Sequence, residues 1–483
     1  MTAKIRVLLL GYLALGLGAP VILGTQEGEM DRLMKTYSTQ RIVVLNAGQE
    51  LTFKLKNGGT RVIRLVSFRE SRDSVIGLIR RADIRVEIDG RPADLVCAPY
   101  VLPSEIDGLR LQADTTSGWT KMPGQVQFSI WDASDPVVDT ERFGFPLRAF
   151  RLFSHGTQAY GEPVHLGAGD GDPDGQRFYH DYGFDMAGYE GRDEVVCAAA
   201  GAVVAISPSR ENPSSVIIRD DAGMLWEYGH LSMVAPDIVP NSAVAKGRKI
   251  GILGKTGPSG NFSHIHLGCY LSLRDMENDR PNRRLNLYPW LVAAYQAIHP
   301  KGLFAVARPH HEVLTGEKIV LDGSNSLVWG GSRIVEWRWV LPDGKTVNGA
   351  RAETSIAAPG AYTAALWIKD DRGAEDVDFC QIKVYTRDHP EKGMPHIFMT
   401  VSPTQDIKPG QAVIFRFWFQ GEGGSPMTVD FGDGTKLIGR ESYAEIRHAF
   451  KTPGIHIVEA GGNAGGRPVS QKLKVVVTAE PTR

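Results

Sequence analysis

Between Thr39 and Asp132 hydrophobic and polar residues alternate with the period of two that a half-buried strand requires. Leu51, Phe53 and Leu55 point one way and their polar neighbours the other. Asn57-Gly58-Gly59 supplies a turn, and a further strand follows over 61–66. Ile84, Val86 and Ile88 repeat the alternation before Asp89-Gly90, a hairpin signal, and Val126, Phe128 and Ile130 share one face of a last strand. The pattern predicts a small all-β domain over 39–132, a sandwich, with no residues in it that suggest chemistry.

Over 136–300 the character changes. Strands are expected near 194–206, 215–219, 224–228 and 264–271, separated by long polar loops that hold most of the histidines of interest. The segment ends in Tyr288-Pro289-Trp290-Leu291-Val292-Ala293-Ala294-Tyr295, a short helix with proline at its start, where a missing N–H costs nothing. Two β-rich segments of similar size follow, over 302–386 and 395–478. Gly 54 and Pro 28, together about 17% of the 483 residues, suit short strands joined by many turns. The length itself predicts about three or four domains.

Composition narrows the function classes. Hydrophobic residues at 42% and charged residues at 23% exclude wholesale disorder. Lys+Arg 54 against Asp+Glu 55 leaves a net charge of −1, so no global basic field exists to hold nucleic acid or an anionic membrane. Four cysteines are too few for a disulfide-built scaffold. Cys197 and Cys269 are expected as buried thiols or as one disulfide, and no cysteine is expected to bind metal. At the N-terminus, residues 1–24 place Lys4 and Arg6 before an apolar run, with Glu27, Glu29 and Asp31 after it. That is the charge layout of a secretory signal, and it predicts export to the periplasm, the cell envelope or the outside. The run reaches about 17 residues, close to the lower limit for a bilayer span, so an uncleaved N-terminal anchor is the alternative and the one expected membrane contact.

Four features of the 136–300 segment belong together: Tyr179-His180-Asp181-Tyr182-Gly183-Phe184-Asp185, Trp226-Glu227-Tyr228-Gly229-His230-Leu231, the glycine-rich run from Gly247 to Gly257, and Ser263-His264-Ile265-His266-Leu267. In a strand His264 and His266 point to the same side, about 6.5–7 Å apart. One can then bind a metal while the other meets the substrate or its attacking water. A catalytic zinc takes three N/O protein ligands and one open position. His266, Asp185 and His180 can supply the three, leaving His230 and His264 to orient or deprotonate the water or to stabilise the oxyanion. The glycine run is not a phosphate loop, because Lys255-Thr256 is followed by Gly257-Pro258, which would break the required helix. Its glycines are expected to shape tight turns near the metal. Asp170, Asp172 and Asp174 with Gly175 have the spacing of a calcium-binding loop, with Asp181 at its twelfth position, although Pro173 and Arg177 depart from that pattern.

This conjunction resembles the lysostaphin-type, LytM-like zinc metalloendopeptidases, whose order is H-x-x-x-D, Y-x-H-L, a glycine run and H-x-H. The match runs from about 178 to 270 and includes Val195–Val204 as the strand after the aspartate. The resemblance implies that Asp185 and His266 are zinc ligands and that His230 and His264 are the catalytic pair. One departure matters: His180 stands five residues before Asp185, where the family spacing is four. His180 is expected to reach the metal through a one-residue insertion. Asp181, at the aligned position, is the alternative ligand, and a weakened site is the third outcome. The last two segments resemble polycystic-kidney-disease (PKD) type modules. The first does so through Leu321-Asp322-Gly323-Ser324, Trp337-Arg338-Trp339, Pro359-Gly360-Ala361-Tyr362 and Asp370-Asp371-Arg372-Gly373, the second through Asp430-Phe431-Gly432-Asp433-Gly434-Thr435. They are expected to be spacers, with Trp337 and Trp339 in the core.

The expected architecture is therefore multi-domain and mainly β. An N-terminal β-sandwich precedes a lysostaphin-like antiparallel β metallopeptidase domain, and two immunoglobulin-like PKD-type sandwiches follow it. The implied activity is zinc-dependent hydrolysis of amide bonds in peptidoglycan cross-bridges or stem peptides. Alternatives are an inactive binding or regulatory scaffold at the envelope and a peptidase acting on extracellular proteins.

Overall fold

The computed structural model describes residues 37–120, 124–165, 178–208, 213–277, 284–388, 394–420, 426–440 and 443–479. The apolar run of 1–24 and the Asp170-Asp172-Asp174 loop lie outside the described residues. Among the described residues no helix is long and apolar enough to cross a membrane.

The protein is multi-domain and mainly β. The alternating N-terminal segment forms two four-stranded antiparallel sheets. One carries Arg41–Asn46, Gln125–Asp132, Leu109–Thr116 and Ser104–Ile106; the other carries Glu50–Lys54, Thr60–Arg72, Ile79–Ile88 and Arg91–Cys97. The apolar faces meet over Ile63, Leu65, Val86, Phe128 and Ile130, all fully buried. Asp89 and Gly90 both adopt positive φ, 50° and 76°, the mirror-image turn that follows the right-handed twist of a hairpin.

Next comes a seven-stranded antiparallel sheet. Its spatial order is Ala243–Val244, Gly201–Pro208, Pro213–Asp220, Leu225–Gly229, His264–Tyr270, Phe184–Ala187 and Thr157–Gln158. A three-stranded sheet of Glu194–Val196, Lys249–Leu253 and Leu231–Val234 packs with it. The helix Tyr288–Ile298, with proline in its first turn, buries Trp290 against Trp226 and Phe143, at ring separations of 6.3 and 5.4 Å. The Trp290 indole N–H donates to Gln40 Oε1 at 3.0 Å, so this core reaches the N-terminal segment. Removing a buried tryptophan of this kind costs about 3–5 kcal/mol. All four cysteines are free and buried.

The two C-terminal sandwiches are less separate than spacers would be. Gly360–Asp370 of the first and Arg467–Val477 of the second pair in parallel at Ala361 and Val469, so one sheet of nine strands runs through both. Leu314, Ala361 and Tyr385 of the first contribute to the core of the second. Trp339 is fully buried, whereas Trp337 is only partly so. The opposing sheet of the second sandwich carries His396–Ser402, Ala412–Gln420 and Tyr443–Ala449, and it faces the region between 186 and 262. Buried ion pairs tie the units together. Asp376 accepts from Lys474 Nζ at 2.7 Å and from Arg151 at 3.2 Å, and Arg308 pairs with Asp378 at 3.2 Å while donating to His155 O.

Candidate active site

Strand pairing assembles the site. Asp185 lies opposite His266, and Ala187 opposite His264, in the ladder between Phe184–Ala187 and His264–Tyr270. The two-residue period puts both imidazoles on the face that Asp185 reaches. His266 Nδ1 is 2.7 Å from Asp185 Oδ1, and His264 Nε2 is 3.3 Å from Asp185 Oδ2. His230 arrives from the next strand, at the break between Leu225–Gly229 and Leu231–Val234. It has a left-handed backbone, φ 64°, a conformation that costs a non-glycine residue about 1–2 kcal/mol. Its ring centroid is 4.4 Å from that of His264 and 6.2 Å from that of His266.

Asp181 completes the cluster. One ligand atom each from Asp181, Asp185 and His266 lies within 4.8 Å of the others. Asp181 Oδ1 accepts from Gly183 N at 3.0 Å and stands 3.8 Å from His266 Nδ1, while its Oδ2 is buried with no hydrogen-bond partner among the described residues. An orphaned buried carboxylate oxygen is costly without a cation. Two carboxylates and one imidazole are also a donor set that zinc accepts. The residues present fit a metal. The side chains of Asp181 and Asp185 are almost wholly buried, whereas His266 is 17% exposed, so the cluster opens to solvent on the His266 side.

The structure does not bring His180 into this cluster. Successive residues of an extended chain face opposite ways, so with Asp181 turned inward His180 turns outward. It ends the short strand Phe178–His180, its Nε2–H donates to Ile79 O of the N-terminal sandwich at 3.1 Å, and its ring lies near Trp119. Burial lowers its pKa to about 4, which keeps it neutral there.

The electrostatics follow from crowding. Burial and the neighbouring Asp185 push the Asp181 carboxyl up. Burial also acts upward on Asp185, but His264 and His266 outweigh it and hold that carboxyl below its usual range. Burial acts downward on His266, and Asp185 reverses this to raise it. His230 is lowered to about 3 by burial and by the two imidazoles beside it. His230 Nδ1 is 2.7 Å from Thr256 O and His264 Nδ1 is 2.8 Å from Phe262 O. A carbonyl only accepts, so each Nδ1 carries the proton; His230 Nε2 keeps its lone pair, and His264 Nε2 faces the Asp185 carboxylate.

Three features have little or no signal in the sequence. Glu227 lies opposite Gly268, on the same face as His266, and a Cβ added to Gly268 would lie within 4 Å of both side chains. Period-two counting back from Gly229 could have found it. Gly183 must be glycine, because a Cβ there would lie 2.3 Å from His266 Cε1. The carbonyls of Thr256 and Phe262 are backbone atoms, which carry no residue signature.

Residues 179–278 match the model of peptidase family M23, and residues 304–384 match that of the PKD domain. No curated protein sequence matches the chain. Among solved structures, a lytM protein from Ruminococcus gnavus is 22% identical, over 32% of this chain and 61% of that one, with a TM-score of 0.23. The present chain thus spans less than two thirds of that relative. The catalytic domain of lysostaphin from Staphylococcus simulans is 19% identical, over 29% of this chain and 92% of that one, with a TM-score of 0.22. The PKD1 domain of Vibrio anguillarum Epp is 17% identical, over 18% of this chain and 92% of that one, with a TM-score of 0.14. Asp181, Asp185, His230, His264 and His266 thus all fall within the stretch that matches peptidase family M23, and the sandwich after it matches the PKD domain.

Proposed function

We propose that this protein is an exported zinc metalloendopeptidase that hydrolyses amide bonds in peptidoglycan cross-bridges or stem peptides. The observation that carries the reading is the convergence of Asp181, Asp185 and His266 with two buried neutral histidines, in a segment matching peptidase family M23. In this reading the metal ligands are Asp185 and His266, with Asp181 in the position expected of His180. Zinc held there would polarise the scissile carbonyl and lower the pKa of a bound water. His230 and His264 would assist in removing a proton from the attacking water. As the new C–O bond forms and the C–N bond breaks, the proton passes to the departing amine. Asp185, beside His264 Nε2, steadies the imidazolium between the two transfers.

A second reading has one observation in its favour. With His180 engaged by Ile79 O, a carboxylate stands where the family pattern has an imidazole, which favours a scaffold that binds the cell-wall polymer without cutting it. Purified sacculi incubated with the zinc-supplemented full chain distinguish the two. The peptidase reading expects new free amino groups, detected by mass spectrometry of the released fragments and absent with His264→Ala. Binding to sacculi without new amines would overturn it.

A further inference from the structure

The loop 255–262 holds both catalytic-pair histidines, and the second C-terminal sandwich holds the loop. The Thr256 carbonyl, near the loop's start, fixes His230 Nδ1, and the Phe262 carbonyl, at its end, fixes His264 Nδ1. The Phe262 ring also stacks on the His264 ring at 4.9 Å and 25°. Within itself the loop is tied by Ser259 Oγ to Lys255 O, Ser259 N to Gly257 O and Phe262 N to Ser259 O, and Thr256 Oγ1 donates to Leu231 O at 2.8 Å. It contains Gly257, Asn261 and Gly260 at positive φ, residues that do not stiffen a loop.

Further anchors come from the second C-terminal sandwich, beside the local bridge between Gly254 and His264. Phe262 stacks on Phe398 at 4.9 Å and 22°, and Phe398 packs on Trp418 at 5.0 Å. The Lys255 ammonium lies 5.9 Å from the Trp418 ring centre and 3.7 Å from Glu190, which Arg416 of the same strand as Trp418 also contacts at 2.9 Å. Arg416 and Glu445 extend the same seam to Tyr189, just beyond the Asp185 strand. Together these contacts restrain both ends of the loop.

We infer that the second C-terminal sandwich is a positioning device for proton transfer: Phe398 and Trp418 grip the two ends of loop 255–262, whose carbonyls set the tautomer and direction of His230 and His264. The catalytic consequence rests on the hydrolytic reading above, but the positioning does not, so its primary test is independent of hydrolysis.

The full chain labelled with 15N-histidine reports the two Nδ1–H protons directly. In the parent, both resonate as hydrogen-bonded protons in slow exchange with water. Phe398→Ala and Trp418→Ala weaken one anchor each, and both are expected to lose that protection and admit the other tautomer. Phe398→Leu keeps an apolar side chain and serves if the alanine variant does not fold, while Phe398→Tyr keeps the stack and restores protection. Ile438→Ala, at a side chain 81% exposed on the far hairpin, changes nothing. On sacculi, the anchor variants are expected to lower kcat by about 10²-fold with KM little changed, the mark of misplaced catalytic groups. Imidazole protons as protected in folded Phe398→Leu and Trp418→Ala as in the parent would overturn the inference. If the parent cuts nothing, the hydrolytic reading fails and the exchange measurement still decides the positioning.

Discussion

At the scale of single residues, one step of parity decides the chemistry. His180 and Asp181 are neighbours, and the extended chain sends one to the N-terminal sandwich and the other to the cluster around Asp185 and His266. Gly183 permits this, because the His266 ring occupies the space where a side chain would stand. Gly183→Ala must push that ring aside, since the contact would be 2.3 Å and strand pairing fixes the His266 backbone. The expected result is a fall of about 10²-fold in kcat/KM on peptidoglycan, the scale associated with an ångström of misplacement. The thermal unfolding midpoint should stay close to the parent's. Full activity in this variant would mean that the His266 position is not used.

At the scale of elements, most of the architecture was legible. Period-two alternation marked the N-terminal strands, Asp89-Gly90 marked its hairpin, and Pro289 marked the helix start, because each is a local consequence of side-chain geometry. The common face of His264 and His266 was legible for the same reason. Other features were not, because they depend on tertiary contacts. The extra residue between His180 and Asp185 left open which neighbour faces inward, and tertiary contacts fix it: His180 docks on Ile79 O, and the Asp181 backbone pairs with Gly161 and Glu162. The left-handed backbone at His230 has no composition signal that a sequence pattern would reveal. The pairing of Ala361 with Val469 joins residues 108 positions apart, so two motifs that read as independent spacers share a sheet. The hold of loop 255–262 on the two imidazoles uses carbonyls, which every residue has.

At the scale of the whole molecule, the units meet through buried charge and buried neutral histidine. His155 lies at such a seam. Its carbonyl accepts from Arg308, its Nδ1 is 2.8 Å from Ser154 Oγ, and burial together with Arg308 lowers its pKa from 6.5 to about 3. A folded-state pKa below the unfolded value gives stability that is complete above pH 6.5 and is lost as the pH falls toward 3, because only the unfolded chain then takes up the proton. Buried acids such as Asp114, raised to about 7 by burial, act in the opposite direction, so the whole-protein profile mixes signs. The difference between the parent and His155→Gln cancels them. The parent's advantage in unfolding free energy should shrink by up to about 1.4 kcal/mol for each pH unit below the ordinary histidine value. A difference that stays constant from pH 7.5 to 5 would show that His155 is not held neutral at the seam.

The most direct test of the account is the zinc content, by elemental analysis, of the full chain and of its His180→Ala, Asp181→Asn and His266→Ala variants. The account predicts about one zinc per chain, kept by His180→Ala and lost by Asp181→Asn and His266→Ala. Zinc retained by Asp181→Asn but lost with His180 would contradict the Asp181, Asp185 and His266 cluster as the metal centre, and no zinc in the parent after incubation with excess metal would contradict the metallopeptidase itself.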